Sequence, residues 1–254
     1  MLSVVAGTWI MDSGYYSACA GMAAQTQALD LVAHNLANLG TTGYLAQKAT
    51  FRSLLAGNGS WANYAMNAVV NNFGVLNGSR TDLATGSLVA TGNPLDLAIA
   101  GPGFFAIQSA VGVAYTRAGN FQVTAAGKLV TAQGDPVLGE QGQITLPTGA
   151  VSVSDDGTIS VDGTIIDKLR ITEFASNTNL EAAGDALYRA PAGTGLAPAA
   201  SSVRQGMLEQ SNVSAVASVV ELITVQRAAE MMQRALSIFD TGFNQTAVQD
   251  LPRV

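Results

Sequence analysis

From Tyr15 to Asn38 the chain carries no proline, and Tyr15, Met22, Leu29 and Leu36 stand seven residues apart. Ala18, Val32 and Leu39 form a companion row, with polar Gln25 in step with them. Apolar rows that alternate three and four residues apart make a heptad seam, a narrow helical stripe that needs a partner surface. At about 1.5 Å per residue this helix is roughly 36 Å long, and Gly40 is placed to end it. The C-terminal end repeats the design. Leu222, Ala229 and Leu236 are seven apart, and Val225, Met232 and Phe239 form the second row. Ser211 or Asn212 is expected to cap that helix, and Glu230 with Arg234 is spaced for an i,i+4 ion pair. The pattern breaks after Asp240-Thr241-Gly242, and the tail ending Asp250-Leu251-Pro252-Arg253-Val254 is expected to fray.

Between the two helices the period changes to two. Leu95, Leu97 and Ile99 alternate with Asp96 and Ala98, and the apolar run "GFFAIQ" follows Gly101-Pro102. Val151 and Val153, Ile159 and Val161 read as strands, separated by the turn clusters Asp155-Asp156-Gly157 and Asp162-Gly163. The predicted fold class is α+β, a mostly antiparallel β domain over residues 80–204 inserted between terminal heptad helices. Residues 11–43 and 205–254 form the helical part, expected to pair as a coiled-coil-like inner domain, and residues 44–79 a linker or loose hairpin. "APAGTGLAPAASS", residues 190–202, reads as a second loose segment. Single helices of this length are marginal in water, so the seams are expected to meet each other, copies of themselves, or both.

Composition narrows the function. Charged residues make up 12% of the chain, about half the usual share of a soluble domain, which suits a surface destined to face protein. A net charge of -6 argues against nucleic acid or an anionic membrane as partner, and no direct membrane insertion is expected. The first ten residues lack the basic start of a signal peptide. Met11-Asp12-Ser13-Gly14 makes a natural start, and residues 1–10 are expected to be a non-native extension.

Candidate chemistry is sparse. Cys19 and His34 are single residues of their kinds, which removes disulfides within the chain, most zinc sites and nearly every histidine-dependent triad. His34, between Val32 and Leu36 on a helix, reads as an interface residue. Asp155, Asp156 and Asp162 lack the glutamate that a calcium loop needs twelve positions on, and both clusters end in glycine as turns do. Asp167 with Glu173 and Glu181 with Asp185 read as surface charge, with no aromatic cluster beside them for sugar stacking. Ser211 and Ser214 lie in no nucleophile elbow. Arg117 in "YTRAGNF" is either a ligand-binding arginine or, better suited to Gly119-Asn120 beside it, a residue holding a β-turn. No enzyme, metal or cofactor is expected.

Four segments resemble one family. "AHNLANLGTTGY", residues 33–44, is similar to the N-terminal signature of bacterial flagellar basal-body rod and hook proteins, here Asn35, Leu36, Ala37, Asn38, Thr41 or Thr42, Gly43 and Tyr44. "NPLDLAIAGPGFFAIQ" and "YTRAGNFQVTAAGKLVTAQGDPVLG" resemble its β-domain motifs. "QGMLEQSNVSAVASVVELITVQRAAEM" resembles its C-terminal signature, including Ser211, Asn212, Val213, Gln226 and Arg227. Ala229 and Met232 depart from the residues usual there. The resemblance implies a non-enzymatic subunit, exported through the flagellar type III apparatus without a cleaved signal peptide. It implies polymerisation in the periplasm with copies of itself and with other rod and hook-basal-body subunits. Its terminal helices would form an inner layer lining the export channel. Length, the short 44–79 segment and "MDSGYYSACAGM" favour the FlgF-type branch, with the FlgG-type distal rod branch next. A β-rich secreted binding protein or adhesin is the reading from another class, and 6% aromatic residues offer it little surface.

Overall fold

The computed structural model describes residues 5–52, 75–175, 178–191, 194, 197–198 and 201–250. Most of the expected linker, part of the expected extension and the side chains of Tyr15, Ala18 and Phe239 lie outside the described residues. The chain divides into two compact units. One draws on residues 5–34, 49–52, 75–79 and 216–250, the other on 35–48 and 80–215.

The first unit holds the long helices. Helix α1 spans Val5–Ala37 and α2 spans Ala215–Asp250. On α1 the most buried row is Gly21, Ala24, Ala28 and Val32, spaced three and four apart, with Met22, Leu29 and Leu36 half-buried. Small side chains let a helix backbone approach its neighbour closely, so the deepest face carries alanine and glycine while the large residues flank it. Helix α1 ends at Ala37, earlier than Gly40 suggests, and the left-handed residue is Gly43 (φ 65°).

On α2 two apolar faces oppose each other. Leu222, Val225, Ala229, Met232 and Leu236 are half-buried, whereas Val216, Val220, Ile223, Met231 and Ile238 are exposed. At about 100° per residue the two rows are centred about 180° apart. The helix does not stop at Asp240-Thr241-Gly242. Thr241 Oγ1 donates to the Ser237 carbonyl (2.8 Å), and one glycine costs a helix only about 1 kcal/mol. Glu230 and Arg234 are not among the four ion pairs of the described residues. Among those residues no helix is long and apolar enough to cross a membrane.

The second unit is antiparallel β. A six-stranded sheet runs in the order Glu181–Gly184, Leu187–Arg189, Gly112–Thr116, Gly103–Ser109, Ile171–Glu173, Ala197–Pro198. The last of these strands gives structure to part of the segment expected to be loose. A meander of Val151–Val153, Thr158–Val161 and Thr164–Lys168 forms a separate three-stranded sheet, its second turn made by Asp162 (φ 49°) and Gly163 (φ 82°). Two positive φ angles in a two-residue hairpin loop match the right-handed twist of the strands.

Gly103–Ser109 is covered on both faces. Phe105 and Ile107 enter one core with Leu97, Ile99, Val137 and Val203, while Phe104 and Ala106 enter another with Leu45, Tyr115, Phe174 and Tyr188. That two-sided burial explains why the strand reads as an unbroken apolar run. The chain then returns across its own beginning: Ser202–Gln205 pairs with Leu97–Ala100, and Met207–Glu209 with Leu88–Ala90.

Candidate functional site: a buried joint of the signature segments

The two signature segments meet inside the second unit. Asn35, at the end of α1, uses its whole amide: Oδ1 accepts from the Tyr44 hydroxyl (3.0 Å) and the Gln47 amide (2.9 Å), and Nδ2 donates to the Gln47 carbonyl (2.7 Å). Thr41 Oγ1 donates to Asn38 Oδ1 (3.1 Å), tightening the turn between them. Gly43 then lies flat on the Arg117–Ala118 backbone, where a methyl group would overlap the Ala118 nitrogen. Its amide donates to the Glu209 carbonyl (2.8 Å). The Leu45 amide donates to the Tyr188 hydroxyl (2.7 Å). Burial pushes the Tyr44 phenol up to about 12 and raises that of Tyr188 as well.

Asn212 ties three strands of chain together. Its Oδ1 accepts from the Ala46 amide (2.6 Å), and its Nδ2 donates to the carbonyls of Asp82 (3.0 Å) and Ala84 (2.8 Å). Helix α2 begins at Ala215, so neither Asn212 nor Ser211 stands at the capping position expected of them; Ser211 Oγ accepts from the Val213 amide (3.3 Å), ahead of the helix. Beside it Lys48 pairs with Asp82 (2.7 Å), which holds the Asp82 carboxyl below its usual range.

Beneath these amides lies an ion pair. Arg117 Nη1 donates to Glu209 Oε1 (3.1 Å), with side-chain exposures of 0% and 1%. The guanidinium carbon sits 4.7 Å from the centre of the Phe104 ring, a cation–π contact. Glu209 Oε1 also accepts from the Gly86 amide (2.8 Å). Arg117 is thus neither a turn residue nor open to ligand. Burial raises the Glu209 carboxyl above its usual value, and Arg117 opposes that rise.

Of the residues singled out in the sequence, Asn35, Gly43, Tyr44 and Val213 are buried here, and Leu36, Asn38, Thr42, Ser211 and Asn212 are half-buried. Ala37, His34, Gln226 and Arg227 are exposed. Asp155 pairs with Arg204 (3.2 Å), and Asp156 accepts from Thr158 and pairs with Lys168. Among the described residues no three potential metal ligands gather. Sequence reasoning missed Glu209 and Tyr188. The available signal for Glu209 was a carboxylate directly after Met207-Leu208 in a chain with few charges.

Residues 16–44 match the family described as flagella basal body rod protein, residues 98–165 the flagellar hook protein FlgE/F/G D1 domain, and residues 204–247 the flagellar basal body rod FlgEFG protein C-terminal family. The chain is 35% identical to the flagellar basal-body rod protein FlgG of Agrobacterium fabrum, over 88% of this chain and 94% of that one. It is 35% identical to FlgG of Caulobacter vibrioides over 91% of this chain and 97% of the relative. With FlgF of the same organism it shares 33% identity over 96% of this chain and 100% of the relative. Long helices at the two ends of the sequence, a joint built from the signature residues, and these relatives agree: the chain belongs to the flagellar basal-body rod protein family, whose members are structural, non-enzymatic subunits.

Proposed function

We propose that this chain is a FlgF-type rod subunit that polymerises through α1 and α2 into the axial drive shaft of the flagellum, in the periplasm. The observation that carries the assembly reading is the second apolar face of α2. A helix that is apolar on opposite sides needs cover on both, and Val216, Val220, Ile223, Met231 and Ile238 stand exposed. Burying one valine or isoleucine is worth about 1.5–3 kcal/mol, so a row of them favours a neighbouring subunit strongly. A head-to-tail contact of that kind, repeated without closing, builds a helical filament. Its partners are copies of itself, other rod and hook-basal-body subunits, and the type III export apparatus. The half-buried row of α2 and the flanking Met22, Leu29 and Leu36 of α1 are the proposed coiled-coil seam, joined by Tyr15, Val32 and Phe239.

Coverage supports the FlgF-type reading. FlgF of Caulobacter vibrioides aligns with 96% of this chain over 248 residues, and FlgG of that organism with 91% over 256. The FlgG-type reading rests on its slightly higher identity. Ile223→Asp in the full chain is expected to leave the β unit folded and abolish rod incorporation and motility; a swimming strain with this variant in its rods refutes the helix reading. Electron microscopy of basal bodies from a strain lacking the gene identifies the branch by where the rod stops.

A further inference from the structure

Three donors from distant parts of the chain end on one residue. The Gly43 amide reaches the Glu209 carbonyl, the Gly86 amide reaches Oε1, and Arg117 Nη1 reaches the same carboxylate from 92 residues away. Among the described residues the Arg117 side chain has no other acceptor. Its Nε and Nη2 are buried without a partner, and the guanidinium is packed on Phe104. A lone buried cation is strongly disfavoured in an apolar interior. Until Glu209 arrives, the region around Phe104 is covered only at that penalty. The neighbouring strands also depend on this segment: Ser202–Gln205 and Met207–Glu209 pair with Leu97–Ala100 and Leu88–Ala90, and Val203 lies in the core of Phe105 and Ile107.

We infer that residues 202–213 are a closing latch: the convergence of Gly43, Gly86 and Arg117 on Glu209 holds the β unit open until the last segment before α2 docks, with unpaired Arg117 disfavouring earlier closure. A chain that emerges N-terminus first therefore stays unfolded through most of its length. The value of this order for transport through a channel rests on the rod reading above; the folding order itself does not, so either can fail alone.

The test is pulsed hydrogen exchange during refolding of the full chain. The Phe105, Ala106 and Tyr115 amides report the sheet, and the Gly43 amide, whose acceptor is a backbone carbonyl, reports closure. In the wild type all four are expected to gain protection in one kinetic phase. In Arg117→Leu/Glu209→Leu, which removes both charges and keeps the carbonyl, the sheet amides are expected to be protected in a separate, earlier phase than Gly43. Sheet protection ahead of Gly43 in the wild type overturns the latch whatever any variant does. Coincident phases in the double variant overturn the role of Arg117.

Discussion

Replacing Arg117 with methionine removes a buried cation and leaves the Glu209 carboxylate, 1% exposed, with the Gly86 amide as its remaining side-chain partner. Breaking one side of a buried ion pair costs about 3–5 kcal/mol, because the survivor keeps its desolvation penalty without its attraction. Replacing both partners by apolar groups is often close to neutral. Here Arg117→Met/Glu209→Leu still orphans the Gly86 amide, so it is expected to cost about 1–3 kcal/mol. The pH dependence separates charge from packing. Burial raises the folded Glu209 carboxyl above its unfolded value of 4.5. Its contribution to stability is therefore fully present below about pH 4.5 and lost as pH rises through the raised folded value. Without Arg117 to oppose it, that rise is larger, so the deficit of Arg117→Met relative to wild type is expected to be greatest at neutral pH and to shrink on acidification. Urea unfolding from pH 4.5 to 8, followed by the near-ultraviolet dichroism of the Phe104, Tyr115, Phe174 and Tyr188 cluster, measures it. A deficit under about 1 kcal/mol at pH 7, the size of a single ordinary hydrogen bond, or one independent of pH, refutes the argument.

Gly43→Ala is expected to lose about 2–4 kcal/mol, since the new methyl overlaps the Ala118 nitrogen and φ is 65°; a thermal midpoint within error of wild type contradicts this. Asn212→Ala leaves the Ala46 amide and two carbonyls without that partner and is expected to cost about 2–4 kcal/mol in urea unfolding, with Asn212→Asp restoring only the contact to Ala46. In alkali the Tyr44 contribution is intact below its unfolded value of 10.0 and lost as pH rises through about 12, so stability should fall over that range. Tyr44→Phe should flatten the alkaline fall, and an unchanged curve would remove Tyr44 as its cause.

Several elements were legible without coordinates because their causes are local. The half-buried row of α2 follows the predicted heptad positions from Leu222 to Leu236, since periodicity alone sets which residues share a face. The Asp162-Gly163 hairpin follows from residues that tolerate positive φ. Where two local signals competed, the sequence misled. Gly40 is able to end a helix, but α1 stops before it at Ala37, and the glycine the fold requires is Gly43, in the segment that follows, against the Arg117–Ala118 backbone. Asn212 has the chemistry of a cap, but backbone groups at Ala46, Asp82 and Ala84 engage its amide instead.

Taken alone, the sequence determined a long helix at each end of an antiparallel β region and the family resemblance, properties of neighbouring residues or of whole motifs. Only the tertiary structure decided that residues 35–48 and 205–213 share a unit with the β sheet, that Leu45 sits in its core and that Arg117 pairs with Glu209. The reason is physical. Which buried charge meets which depends on strands brought together across 92 residues of chain, and no periodicity records a contact of that range.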